Sequence, residues 1–218
     1  MKSNRQIKDV LFEQVARLAK AMASPKRLEL IELLCQAPKS VEMLAKEAGI
    51  SIKLTSAHLR ELRLARLVET ERQGKHIIYQ IASDKLPQFW VLLRELAEDR
   101  LFELQHALQQ MTQSTKEWRG TGKTELMKQA KQGALVVIDV RPALEYEQAH
   151  LQFARSMPLA ELQQRVSELP KDKLIVAYCR GPYCLMSVDA VRLLQEQGYQ
   201  AQHWREGVAD WGAVNVVN

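Results

Sequence analysis

Apolar residues recur at helical spacing through the first third of the chain. Leu11, Val15, Leu18 and Met22 form one stripe, which ends before Ser24-Pro25, where Ser caps and Pro opens a new helix. That next helix, PKRLELIELLCQ, stops at Ala37-Pro38. SVEMLAKEAG predicts a short helix with Ser40 as N-cap and Gly49 as its stop, and SIKLTSAHLRELRLARL begins at a further Ser cap, Ser51. The period then switches to alternation in VETERQGKHIIYQI, with a turn at Gln73-Gly74, which predicts a two-stranded hairpin. From Leu86 to about Met111 the helical spacing returns on Phe89, Leu93, Leu96, Leu101, Leu104 and Leu108.

Between Gln113 and Lys123 the period is lost and QSTKEWRGTGKT reads as a linker. Its GTGKT resembles the end of a phosphate-binding loop, but Glu117 stands where that motif needs its first Gly, so nucleotide binding is a poor reading. Beyond it a helix, ELMKQAKQG, precedes the apolar strand ALVVIDV. LAELQQRVSEL precedes KLIVAYC, and LMSVDAVRLLQEQGY precedes QAQHW. Helices alternating with apolar strands predict a parallel α/β sheet. The expected organisation is therefore two domains. A mainly α winged helix-turn-helix over 1–111 is followed by a linker at 112–122 and an α/β domain with a parallel sheet over 123–218.

Composition narrows the classes. The chain has 218 residues, 31 basic and 26 acidic, a net charge of +5. The excess sits in front: 18 basic against 14 acidic residues over 1–111, and 13 against 12 beyond. That balance permits a nucleic-acid partner without proving one. Three cysteines are too few and too odd for a secreted disulfide framework, and the charged N-terminus does not read as a signal peptide. No stretch approaches the ~20 apolar residues of a membrane helix. The expectation is a cytoplasmic protein with no membrane association.

Three helices followed by a hairpin is the order of a winged helix-turn-helix, with one helix in the major groove and the hairpin flanking it. Lys53, Ser56, Ala57, Arg60 and Arg63 share the polar face of the helix from Ser51, while Leu59 and Leu62 share the other. Arg72, Lys75 and His76 at the hairpin tip supply phosphate or minor-groove contacts. Over roughly residues 10–82 the chain resembles the ArsR family of dimeric bacterial repressors. The resemblance implies a homodimer on double-stranded operator DNA, with first and last helices forming the interface. The soft-metal site of many members is not reproduced, since Ser40-Val41-Glu42 replaces Cys-Val-Cys. No metal and no cofactor is expected. Cys35 reads as a small core residue.

The remaining chemistry lies in AYCRGPYCLMS. Cys179 ends an apolar strand and faces the start of a helix, where backbone N–H groups and the helix dipole favour a thiolate. Arg180 adds positive charge and Gly181 lets the backbone curl near the sulfur. A phosphatase cradle needs Arg where Leu185 stands, which makes phosphoryl transfer unlikely, and a zinc site lacks two ligands. Residues 123–218 resemble the rhodanese domain, which implies that Cys179 carries sulfane sulfur as a persulfide taken from thiosulfate, a polysulfide or a persulfide. Asp139 and Arg141 of IDVR match that family's supporting ion pair. Cys184 stands where thiosulfate-using members are often basic, and suggests a resolving thiol that closes a disulfide or polysulfide. Ala149 and Phe153 replace glycines common in the family. The combined expectation is a sulfur-responsive DNA-binding regulator, most simply a repressor. The alternative is a cytosolic sulfurtransferase that uses its winged helix to dimerise or to bind protein.

Overall fold

A computed structural model describes residues 3–112, 115, 117–118, 122–212 and 216–217. The chain divides into two compact units, Met1–Trp90 and Val91–Asn218. Much of the linker expected at 112–122 lies outside the described residues.

The first unit opens with α1 (Asn4–Met22), capped by Ser3, whose side chain accepts from the Gln6 amide while the Gln6 side chain accepts from the Ser3 amide. Next come α2 (Pro25–Leu34), β1 (Lys39–Ser40), α3 (Val41–Glu47), α4 (Ile52–Leu64), β2 (Val68–Gln73) and β3 (His76–Ile81). Ser40 caps α3 through the Met43 amide and Ser51 caps α4 through the Leu54 amide, at 3.3 and 3.2 Å. Leu30, Ile31, Leu44, Leu59 and Leu62 are all fully buried. Each such side chain contributes about 1.5–3 kcal/mol of burial energy. The strands form an antiparallel sheet in the order β1-β3-β2, with Gln73 opposite His76, so only Gly74 and Lys75 make the hairpin tip. The two-residue strand β1 is too short for any alternation to announce it.

Helix α5 (Lys85–Arg100) crosses from the first unit into the second and is followed by α6 (Phe102–Thr112). The continuous pattern over 86–111 thus forms two helices, interrupted at Leu101. The second unit continues with α7 (Lys123–Lys131), β4 (Leu135–Asp139), α8 (Ala143–Gln148), β5 (His150–Leu151), β6 (Arg155–Ser156), α9 (Leu159–Arg165), β7 (Leu174–Tyr178), α10 (Met186–Glu196), β8 (Ala201–His203), α11 (Val208–Trp211) and β9 (Val216–Val217). The sheet order β6-β4-β7-β8 is parallel at every pairing. In β4, Val136 and Ile138 enter a core with Ile175, Ala177, Val191 and Leu194. Leu135 and Val137 enter a second core with Val176, Leu126, Trp204 and Trp211. Both faces are covered, which is why these strands read as unbroken apolar runs.

Candidate functional site

In the first unit, Thr55, Leu59 and Leu62 bury one side of α4, and Lys53, Ser56, Ala57, Arg60 and Arg63 are all exposed on the other. Lys75 at the hairpin tip and Arg72 and His76 on the strands beside it are exposed, and Arg72 Nε donates to Gly74 O at 3.2 Å. The structure therefore presents a basic helix face and a basic wing in one unit, with their side chains available to phosphates and base edges.

Helix α1 turns Leu11, Phe12, Val15 and Leu18 to solvent, with Phe12 and Val15 at 66% and 70% exposure. In the second unit Leu96, Leu101 and Phe102 are likewise exposed.

The cysteine loop follows directly on β7, at the carboxyl end of the parallel sheet, where open α/β sheets place their ligand sites. Cys179 and Cys184 are joined by a disulfide across this loop. Cys179 is 1% exposed and packs in the core, whereas Cys184 is partly exposed at its edge. The thiolate expected at Cys179 is, in this state, one half of that bridge. The Cys184 amide donates within the loop, to Gly181 O at 3.1 Å. Gly181 takes φ +150°, a conformation that side-chain-bearing residues avoid.

Arg180 does not direct its charge at the sulfur. Its Nη2 and Nε lie 2.6 and 3.0 Å from the carboxylate of Glu145, a fully buried acid on α8. Asp139 and Arg141 pair within 2.6 Å, both buried, and Tyr178 Oη donates to Asp139 Oδ2 at 2.5 Å. Arg141 Nη2 also donates to Ala149 O at 2.8 Å. Either buried charge alone would cost several kcal/mol, so each ion pair holds only as a unit. Burial and the Asp139 charge push the Tyr178 hydroxyl well above its ordinary range, which keeps it a hydrogen-bond donor. Phe153, in a position common to glycine, takes φ +67° all the same.

Two further elements grip the loop. Gly207 lies so close beneath it that a Cβ would fall 2.2 Å from Arg180 O and 2.8 Å from Cys179 O, so only glycine fits. Asp210 accepts from the Gly207 amide at 2.8 Å and pairs with Arg94, and both acid and guanidinium are nearly fully buried. The Arg94 guanidinium also stands over the Tyr183 ring at 5.9 Å. The Arg94–Asp210 pair spans 116 positions of sequence, and Glu145 lies 35 positions from Arg180, so neither pairing has a local signal. The one clue to Glu145 is an acid in the otherwise ordinary run PALEYEQ.

Residues 24–70 match the family model for bacterial regulatory proteins of the arsR family, and residues 123–214 match the rhodanese-like domain. The HTH-type transcriptional regulator Rv0324 of Mycobacterium tuberculosis is 35% identical over 204 residues, spanning 94% of this chain and 89% of that protein. The chain belongs to the arsR family of transcriptional regulators and carries a rhodanese-like domain. The regulator is also 32% identical over 78 residues to a sulfurtransferase of Allochromatium vinosum, covering 35% of this chain and 71% of that one. Among solved structures, the homodimeric winged helix-turn-helix DNA-binding domain of Mb0332 from Mycobacterium bovis shares 34% identity, with a TM-score of 0.43 over 47% of the regulator and 94% of that fragment. Within the regulator no described helix is long and apolar enough to cross a membrane.

Proposed function

We propose that the regulator is a homodimeric repressor whose operator affinity is set by the sulfur state of Cys179 and Cys184. Residues 1–111 bind and dimerise on DNA, residues 112–122 link, and residues 123–218 read reactive sulfur. The observation that carries this is the pairing of two thiols in the loop after the central strand, in a chain whose other unit exposes a basic helix and wing. In the dithiol state Cys179 takes a sulfane sulfur as a persulfide. Cys184 then attacks the Cys179 sulfur of that persulfide, closes the loop as a disulfide and expels hydrosulfide; where a polysulfide has left two sulfurs on Cys179, attack on the first of them expels hydrosulfide and closes a trisulfide. The apolar stripe on α1 in the first unit and exposed Leu96, Leu101 and Phe102 in the second each supply apolar surface for a dimer contact. Closing or opening the bridge changes the loop that Arg94 and Gly207 contact, and a state preferred by one bridge form shifts the DNA-binding population.

The test is an operator mobility shift on wild type and Cys179→Ser with polysulfide added. The wild type changes its affinity and the variant does not. An equal response of both overturns the coupling. A sulfurtransferase reading gains only if thiosulfate:cyanide turnover is found together with no salt-sensitive DNA affinity.

A further inference from the structure

A cavity of about 370 Å³ in the second unit opens onto the cysteine loop. Its wall includes Gly181, Pro182 and Cys184 but not Cys179. The buried sulfur is thus closed to this cavity and the partly exposed sulfur faces it. Glu98, Asp99 and Glu117 also line the cavity. Glu98 is paired with Arg205, a further lining residue, so among the described lining residues Asp99 and Glu117 leave an excess of negative charge. His203 also lines the cavity, its Nδ1 3.2 Å from Thr115 Oγ1.

We infer that the bridged loop receives sulfur through this cavity from a small hydropersulfide carrying an ammonium group, and that the first attack falls on Cys184. This rests on the reading of the loop as a sulfur site. Which sulfur of a disulfide is attacked depends on access, and access here selects Cys184. The carboxylates disfavour a doubly negative donor such as thiosulfate and favour a cation. In the first step the perthiolate RSS⁻ bonds to Cys184 Sγ, the Cys179–Cys184 bond breaks, and Cys179 leaves as a thiolate. In the second, that thiolate attacks the sulfur now bonded to Cys184 and expels RS⁻. One sulfur has been inserted to give a Cys179–S–Cys184 trisulfide, with no net oxidant or reductant. The site so works without a free Cys179 at the outset.

Trypsin cleaves after Lys173, Arg180 and Arg192, which places Cys179 on residues 174–180 and Cys184 on residues 181–192. The bridged full chain is mixed with substoichiometric cysteamine, acid-quenched early, alkylated with iodoacetamide, digested and mapped by mass. The expected product has cysteamine on the 181–192 peptide and the alkyl group on the 174–180 peptide. Cysteamine on 174–180, or divided equally, overturns the entry point. Rates are then compared for cysteamine and 3-mercaptopropionate at equal thiolate concentration. Asp99→Asn with Glu117→Gln lowers the ratio by on the order of fivefold. An unchanged ratio overturns the ammonium assignment. With cysteamine hydropersulfide the cross-linked peptide pair gains one sulfur, and a pair without that gain overturns the insertion. A chain that passes all three arms while its operator affinity ignores sulfur retains this inference and retracts the regulatory reading alone.

Discussion

Cys35 shows how its surroundings can silence a thiol. Burial and the nearby Glu32 charge push the Cys35 thiol from 9.0 to about 12, so it stays protonated and inert where an exposed thiol begins to react. At pH 8 it should alkylate far more slowly in the native protein than in urea, as mass spectrometry of the 35-containing peptide will report. The sign for stability follows. Between pH 9 and about 12 the unfolded chain has lost a proton that the native state keeps, so native stability falls as pH rises through that window. The wild type therefore loses stability relative to Cys35→Ala there, in paired urea titrations. Arg94 is the other residue on which much depends. Its replacement by Ala leaves the buried Asp210 carboxylate without its guanidinium, and should cost about 3 kcal/mol in urea unfolding. Asp210→Asn in the Arg94→Ala background should recover much of that loss. A loss below about 1 kcal/mol would mean the pair is hydrated.

At the scale of elements, the proposed function gives α4 and α1 separable roles. Arg60→Ala and Arg63→Ala on the exposed face of α4 should weaken operator binding and, where the lost contact is a phosphate, lower the salt slope by about 1 each. Filter-binding titrations over a range of salt read both quantities. Val15→Glu on the exposed stripe of α1 should instead shift sedimentation toward monomer and weaken DNA binding through lost dimer, with the fold of the unit unchanged by circular dichroism. The elements themselves were largely written in periodicity. The hairpin was legible although its turn falls at Gly74-Lys75, one residue beyond the expected Gln73-Gly74, Ser40 and Ser51 announced their helices, and both cores of the parallel sheet were visible as apolar runs. The interruption at Leu101 was not, because neither Gly nor Pro marks it and the apolar spacing runs through. The stripe from Leu11 does not mark where α1 begins, and its start at Asn4 rests on the Ser3–Gln6 cap. Strand β1 was missed because two residues carry no pattern. For the cysteine loop, residue types and spacing named Cys179 and Cys184, and the rhodanese resemblance named Asp139 and Arg141. Arg94, Glu145, Gly207 and Asp210 required the fold, since ion pairs and close backbone approaches over such separations leave no local mark.

For the whole molecule, the proposed function requires that the sulfur state of the cysteine loop and the DNA-bound state bias one another, and such linkage is reciprocal. A response of tenfold in operator affinity requires a difference of only about 1.4 kcal/mol between bridge forms. That is smaller than the cost of breaking a single buried ion pair. The most direct measurement treats the full chain with less polysulfide than it has cysteine loops, adds operator in slight deficit, separates DNA-bound from DNA-free protein, and maps the cysteine peptides of each fraction by mass. Unequal sulfur content at residues 174–192 between the two fractions is the predicted result. Identical distributions of dithiol, disulfide and longer bridges in both would contradict it.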